Sequence, residues 1–179
     1  MPEIEIRPTV PADLPVLLKL EHHFNTNYVW QMERLIEEGQ ISVSFREVRL
    51  PRSVKVEYPR ALELSQQIWP QPFTMLTATI ESVPVGYMRL DDHFSAGSAW
   101  ISDIVVGEKL RRKGIATALL LAAQQWTVQR GLRRVVLAMQ SKNHPGIQLA
   151  NKLGYEFCGF NDHYYSNQDI ALFFARYVR

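Results

Sequence analysis

A short basic loop, residues 107–113, lies between an apolar stretch and a helical pattern in the 179-residue chain. The first turn of a helix exposes N–H groups with no partner inside the helix, and the helix dipole adds partial positive charge there. Such a helix start binds anions, and Gly114 would let the backbone approach a phosphate closely because glycine has no side chain. The pattern predicts a diphosphate-binding turn formed by Arg111, Arg112, Lys113, Gly114, Ile115, Ala116 and Thr117.

A carboxylate in the middle of an apolar strand is the second feature that could do chemistry. Asp103 lies within the stretch WISDIVV, where a buried and unpaired charge would be costly. The residue therefore either faces a polar site, where it could serve as a base toward an ammonium group, or pairs with an arginine or a backbone N–H group. Both interpretations stay open from the sequence.

Other reactive side chains have simpler interpretations. The Asp-Asp-His run at residues 91–93 is typical of a solvated loop and is the second candidate for a base. We interpret His22 and His23 as a pair on a helix surface, and Cys158, which lies in an apolar run, as a packed core thiol. No group of side chains has the ligand spacing of a metal site, so we expect no bound metal.

Hydrophobic periodicity predicts the elements that must position these groups. Helical spacing predicts helices over residues 12–24, 28–38, 60–69, 114–130 and 144–153. Alternating or β-branched stretches predict strands over residues 3–7, 41–48, 50–58, 73–81, 85–90, 98–106, 132–139, 156–160 and 170–177.

The order of these elements indicates how the sheet is built. Three successive strands followed by a strand, a loop and a helix predict an antiparallel meander that leads into a parallel unit. The strand at residues 132–139 is almost continuously apolar, as expected for a strand covered on both faces. A right-handed crossover would pair it in parallel with the strand at residues 98–106, and a cleft can open where the two strands part.

Length and composition limit the class of protein. The length suits a single domain over residues 1–179, and a net charge of +2 gives no strong field for nucleic acid or a membrane surface. One cysteine excludes an internal disulfide. The chain has no apolar run of membrane-spanning length and its first residues do not resemble a signal peptide, so we expect a cytoplasmic protein.

Two motifs together resemble those of the GNAT N-acetyltransferase superfamily. The pattern R-x-x-G-x-A at residues 111–116, after a strand that ends at Val106, resembles the acetyl-CoA signature of that family. The segment NHPGIQLANKLGY at residues 143–155 resembles its second motif, an asparagine and a short helix before Lys-Leu-Gly-aromatic. The resemblance covers roughly residue 73 to the C-terminus and is fainter over residues 1–30.

The resemblance implies a fold and a chemistry. The fold would be α+β in three layers (α/β/α), with a mixed central sheet of about seven strands, a splayed parallel central pair and helices on both faces. Acetyl-CoA would be the co-substrate, its pantetheine arm paired with the backbone of Ile104, Val105 and Val106 and the oxyanion bound by an N–H group near Val105. Asn143 would direct its amide toward the cofactor or simply cap the short helix, and both roles stay open.

The chain departs from the family pattern at one position. Many members carry a tyrosine seven residues after the asparagine of the second motif, which protonates the departing thiolate, whereas this chain has Ala150. Tyr155, Tyr164 and Tyr165 are near in sequence, and Tyr164 is our predicted general acid. Water is the alternative proton source, because a thiol has a pKa of about 8.5.

The front half more faintly resembles streptothricin-type acetyltransferases, in the stretch at residues 28–59. This resemblance implies that the acceptor is an amine of an antibiotic or of a similar polycationic small molecule. An acidic acceptor wall would then draw on Glu33, Glu37, Glu38 and Glu47, although each of them, taken singly, is more typical of an exposed charge on a helix or strand.

Three functions therefore remain for comparison. The first is acetyl transfer from acetyl-CoA to a primary amine of a small molecule by direct attack. The second, suggested by Ala150, is a non-catalytic acyl-CoA sensor or partner-binding module. The third, nucleic-acid binding through the basic residues, is disfavoured by the near-neutral net charge. A homodimer is compatible with each of the first two.

Overall fold

The computed structural model describes residues 3–59 and 73–179. The helices are α1 (Leu14–Leu17), α2 (Ile115–Gln129) and α3 (His144–Lys152), with single 3-10 turns at Pro11–Asp13 and Glu108–Leu110. The strands are β1 (Ile4–Pro8), β2 (Phe24–Glu37), β3 (Gln40–Val56), β4 (Thr74–Ile80), β5 (Val83–Asp91), β6 (Ser98–Val106), β7 (Arg134–Gln140), β8 (Glu156–Asn161) and β9 (Ala171–Tyr177). No helix in these two ranges has both the length and the apolar character that a membrane crossing requires.

A seven-stranded mixed sheet forms the centre, with strand order β1-β4-β5-β6-β7-β9-β8. All neighbouring strands are antiparallel except β6 and β7, which are parallel as predicted. Their pairing runs only from Ser98 opposite Arg134 to Ile101 opposite Leu137, although both strands continue. The predicted fold class is therefore confirmed, and the central parallel pair diverges at its C-terminal end.

An inserted residue in β6 changes which face its side chains occupy. Arg89 lies opposite Asp103 and Leu90 opposite Ile101, so Ser102 has no partner on β5 and forms a β-bulge. Ile101 packs in the core beneath α2, whereas Asp103 shares the opposite face with Val105. Strict alternation, which would place all three on one face, is therefore wrong here.

Helices cover both faces of the sheet. On one face α2 buries Leu119, Leu120 and Ala123 against the strands, and this is the larger core. On the other face Leu17 of α1 packs in a smaller cluster with Met75, Tyr87 and Val105. This second face carries Asp103.

The predicted helices at residues 12–24 and 28–38 are largely wrong. Helical backbone ends at Leu18, and the chain from Phe24 to Glu37 is strand β2, antiparallel to β3. The apolar spacing of this stretch fits either structure, and its aromatic and β-branched residues favour the strand once a partner strand pairs with it. Strands β2 and β3 form a long two-stranded ribbon, and its first strand replaces the helix predicted at residues 28–38.

Two further local predictions also need correction. The strands predicted at residues 41–48 and 50–58 are one strand, β3, and Pro51 is tolerated because the ribbon pairing skips residues 50–53. Cys158 is exposed rather than a core thiol, because β8 is an edge strand of the sheet. The helix predicted at residues 60–69 lies outside the described residues.

Candidate functional site

The start of α2 has the backbone geometry that an anion site needs. Gly114 is the N-cap residue with a φ of 85°, no side chain caps the helix, and the first backbone hydrogen bond joins Ala118 N–H to Gly114 O at 2.9 Å. The preceding N–H groups of the first turn therefore have no partner within the helix. A Cβ at Gly114 would meet no atom within 4 Å, so glycine serves the left-handed backbone here rather than close packing.

The basic residues before α2 divide into two roles. Arg112 and Lys113 are exposed and bring positive charge to the rim of the turn. The guanidinium of Arg111 instead donates to the carbonyl oxygens of Val106 at 3.0 Å and Glu21 at 2.6 Å. Arg111 therefore fastens the loop to the end of β6 and to the segment before β2.

The divergence of β6 from β7 leaves backbone groups facing a gap. Gly107 N–H donates to Val85 O at 3.0 Å, which fixes the hydrogen-bonding phase between β5 and β6. By alternation, the polar groups of Val105 point toward β5, and those of Ile104 and Val106 point toward the gap. The Val106 carbonyl is bound by Arg111, so the groups that face the gap without a side-chain partner among residues 3–59 and 73–179 are the Val106 N–H and both polar groups of Ile104.

Asn143 caps α3. Its Oδ1 accepts a hydrogen bond from Gly146 N–H at 3.0 Å, which is the cap interpretation of this residue. A Cβ at Gly146 would lie 2.9 Å from the Asn143 side chain, so a larger residue would push that side chain out of its capping position. The cofactor-facing role of the remaining amide N–H group stays a prediction.

Asp103 is a buried carboxylate, 2% exposed, on the α1 face of the sheet. One carboxylate oxygen accepts a short hydrogen bond from the Tyr58 hydroxyl, and the other accepts from Ser102 Oγ at 2.7 Å. Across residues 3–59 and 73–179 it forms no ion pair. A buried carboxylate with hydrogen bonds but no counter-ion is a natural place for an incoming cation.

Three titratable side chains face this carboxylate. Burial, and then the charge of Asp103, raises the pKa of Tyr58 and of Tyr87 well above the usual tyrosine value. Burial lowers the pKa of His22, while the Leu20 carbonyl and Asp103 act in the opposite direction. We call Asp103, Tyr58, Tyr87 and His22 the carboxylate cluster.

His22 is therefore misassigned by the surface-pair interpretation. Its Nδ1 lies 2.6 Å from Leu20 O and its Nε2 lies 3.0 Å from the Tyr87 hydroxyl. Its neighbour His23 points elsewhere and lies 3.8 Å from Glu108. No short-range sequence signal identifies Tyr58 or His22, because each reaches the cluster from a segment distant in sequence from β6.

A protein-family model and several solved structures match this chain. Residues 42–155 match the model of the acetyltransferase (GNAT) family. The chain belongs to the GNAT family. It is therefore an acyltransferase with the fold that the two motifs implied.

Solved GNAT structures share the whole fold. The chain is similar to nourseothricin acetyltransferase, with a TM-score of 0.82 and 19% identity over 98% of this chain and 99% of that one. The chain is also similar to a putative streptothricin acetyltransferase from Bacillus anthracis str. Ames in complex with acetyl coenzyme A. The TM-score is 0.75 and the identity is 20%, over 98% of this chain and 99% of that one. For the ribosomal-protein-S18-alanine N-acetyltransferase from Escherichia coli, the TM-score is 0.64 and the identity is 16%, over 98% of this chain and 94% of that one. No curated protein sequence matches the chain.

At the position where many GNAT members carry the tyrosine, this chain has Ala150, whose side chain is completely buried. Tyr155 lies in the α2 core, where its hydroxyl accepts from Gln124 Nε2 at 3.2 Å. Tyr164 packs edge-on against Phe173, with ring centroids 5.8 Å apart. Tyr165 is buried and contributes to the raised pKa of Tyr58, so it faces the carboxylate cluster.

The acidic residues expected in an acceptor wall do not form one surface. Glu33 pairs with Arg46 at 3.2 Å on the exposed ribbon, and residues 37–38 are at its tip. Glu47 lies beside α3, 3.5 Å from His144 Nδ1. In the loop at residues 91–93, Asp92 pairs with Arg130 at 3.1 Å.

Proposed function

We propose that this GNAT enzyme transfers an acetyl group from acetyl-CoA to a primary amine of a small molecule by direct attack of the amine. The observation that carries the proposal is the position of Asp103, a buried carboxylate without a counter-ion among the described residues, two residues past the last pairing of β6 with β7. An ammonium group held there would lie next to the gap that suits the thioester. The carboxylate and the gap thus bring the two substrates together.

The gap and the start of α2 form the acetyl-CoA side of this proposal. The first turn of α2, from Gly114 to Thr117, would bind the diphosphate with Arg112 and Lys113 at the rim. The backbone of Ile104 to Val106 would pair with the pantetheine amides. The oxyanion donor is better assigned to Val106 N–H than to Val105 N–H, because the latter points toward β5.

The face that carries Asp103 forms the acceptor side. An alkylamine has a pKa of about 10 and reaches the enzyme as an ammonium ion, which Asp103 would receive and orient. The similarity to nourseothricin and streptothricin acetyltransferases supports a polycationic antibiotic or a related molecule as the acceptor. Glu47 is the residue of the expected acidic wall that lies beside α3.

The departing thiolate needs a proton or must leave as the anion. Tyr164 stays our predicted acid, and Tyr165 joins it because of its place beside Tyr58. Separate Tyr164→Phe and Tyr165→Phe variants distinguish the two, because loss of the true acid lowers turnover and removes the alkaline limb of the pH profile, while loss of its neighbour does neither.

Release of free CoA thiol from acetyl-CoA, measured against a panel of mono- and polyamines, tests the proposal. Asp103→Asn is expected to lower kcat/KM for the amine about a hundredfold without changing acetyl-CoA binding, because the side chain keeps its shape and loses its charge. Asp92→Asn, a change in a loop acid that pairs with Arg130, is the matched control. Tight CoA binding without turnover of any amine would instead support the non-catalytic acyl-CoA sensor.

A further inference from the structure

The carboxylate cluster contains a hydrogen-bonded pair that the proposed reaction has not yet used. His22 Nδ1 lies 2.6 Å from the Leu20 carbonyl, which only accepts hydrogen bonds, so Nδ1 carries the proton. In the neutral ring Nε2 is then an acceptor, and the Tyr87 hydroxyl at 3.0 Å donates to it. The hydrogen bond between the two side chains therefore runs from the Tyr87 hydroxyl as donor to His22 Nε2 as acceptor.

The pair lies between the acceptor side and solvent. Tyr87, which is fully buried, is on β5 opposite Val105, on the same sheet face as Asp103. His22 is half-buried, in the segment between α1 and β2, and its ring centroid is 5.9 Å from those of Tyr58 and Tyr87. Tyr87 thus lies on the buried sheet face that carries Asp103, and His22 lies nearer the surface.

Resting on the proposed function, we infer that Tyr87 and His22 carry the proton from the acceptor ammonium to solvent. As an ammonium N–H bond breaks, an O–H bond forms at Tyr87, and the original hydroxyl proton of Tyr87 moves to Nε2 of His22. The imidazolium then releases its Nε2 proton to water while Nδ1 keeps its hydrogen bond to Leu20 O, and the Tyr87 hydroxyl turns back toward the deprotonated Nε2. One proton leaves the amine and one reaches water, so the pair returns to its starting state.

The surroundings of the pair suit this transfer. Asp103 holds the ammonium, but carboxylates are in general weaker bases than imidazoles, so a second acceptor helps to free the amine. The groups facing His22 are Asp103 from β6, Tyr58 and Tyr87, Glu21 from its own segment and Arg111 from the loop before α2. Because the pKa of Tyr87 is strongly raised, its hydroxyl passes a proton only as it receives another.

The decisive experiment compares two acceptors in the full-length enzyme. The first is the best alkylamine from the panel, and the second is its β,β-difluoro analogue, which is largely neutral at the assay pH. His22→Gln keeps an acceptor for the Tyr87 hydroxyl but cannot take up a proton, and it is expected to lower kcat/KM for the alkylamine about a hundredfold. The same variant should act on the difluoro analogue within about twofold of the unchanged enzyme.

Two companion variants complete the design. Tyr87→Phe keeps the buried ring and removes the hydroxyl, and it is expected to give the same selective loss. His23→Gln, which changes the neighbouring histidine that faces Glu108, is the matched control and should leave both acceptors unaffected. The neutral form of His22 is the acceptor, so kcat/KM of the unchanged enzyme for the alkylamine should fall when the pH is lowered below the pKa of His22. His22→Gln should remove this acid limb of the pH profile.

The outcomes separate the two proposals. Equal losses with both amines in the His22→Gln and Tyr87→Phe enzymes would show a structural role and overturn the relay. An unchanged pH profile in His22→Gln would overturn it as well. If the unchanged enzyme releases no CoA thiol with any amine, the proposed function itself fails, whatever these variants do.

Discussion

At the scale of single residues, the proposed chemistry depends on the environment of Asp103. The sequence identified the carboxylate and left its role open, and the structure supplies its neighbours: Tyr58, Tyr87 and His22. These partners could not be predicted, because each comes from a different segment and only the packing of α1 and β5 against β6 brings them together. The basic turn, by contrast, was predictable because all of its residues are consecutive.

The hydroxyl of Tyr58 is expected to hold the Asp103 carboxylate in place. Tyr58→Phe keeps the ring and removes a hydrogen bond to a charged group, so kcat/KM for the amine should fall about tenfold with KM for acetyl-CoA unchanged. Steady-state kinetics against each substrate separates these effects. Tyr28→Phe, at a ring stacked on His144, is the control, and a similar loss there would contradict a specific role for Tyr58.

At the scale of elements, the β6–loop–α2 unit was predicted well and the ribbon was not. The unit has a strand pattern, a glycine at the helix start and Gly131 with a φ of 71° after the helix end, all of them local signals. Strand β2 has apolar spacing that also fits a helix, and only pairing with β3 decides the matter. The bulge at Ser102 likewise depends on β5.

Arg111 is expected to act through loop position rather than through charge. Arg111→Lys keeps the charge but cannot make both bonds, to Val106 O and Glu21 O, so KM for acetyl-CoA should rise about tenfold. Isothermal titration with CoA checks the effect on binding directly. Lys109→Arg, in the same loop, is the control, and an unchanged affinity in Arg111→Lys would contradict the positioning role.

The link between β1 and α1 should make stability depend on pH. Arg7 holds both oxygens of the buried Asp13 at 2.7 and 2.8 Å, and this bonding lowers the pKa of Asp13 in the folded protein. A depressed folded-state pKa contributes stability that is complete above the unfolded pKa of about 3.9 and is lost as pH falls through the folded value. Asp13→Asn should therefore cost about 2 kcal/mol at pH 7 and flatten the acid limb of urea-unfolding curves.

Failure of that prediction has a clear form. If Asp13→Asn and the unchanged protein lose stability in parallel between pH 5 and pH 2, the Arg7 pair does not control the acid limb. Glu5→Gln, on the same strand and outside this pair, serves as the control for a general change in charge.

At the scale of the whole molecule, the β2–β3 ribbon packs against the edge of the sheet and against the core through several described residues. Phe45 of β3 packs against Phe157 and Phe160 of β8, with centroids 5.7 and 5.2 Å apart, and Arg34 reaches Asp162 at 3.0 Å. Trp30 N–H also donates to Ser141 O at 3.0 Å, beside the end of β7. The ribbon thus borders the gap between β6 and β7.

Loss of the Phe45 contacts should loosen the ribbon before the sheet unfolds. Phe45→Ala is expected to cost about 2 kcal/mol, less than a fully buried phenylalanine because the ring is partly exposed. Limited proteolysis should then cut within residues 33–47 faster, while the rest of the chain stays resistant. Ile41→Ala, at an exposed ribbon position, is the control, and equal cleavage of both variants would contradict the anchoring role.

The extra residue in β6, Ser102, determines which face of the sheet Ile101 and Asp103 occupy. Removal of the Ser102 codon would restore an uninterrupted ladder with β5, rotating everything on one flank of the excision by half a turn about the strand axis. A carboxylate would then be driven among the aliphatic groups under α2, or Ile101 would be expelled from them. Substitution to alanine at this place should keep the fold and remove only the hydrogen bond to Asp103, whereas excision should leave no folded enzyme to assay.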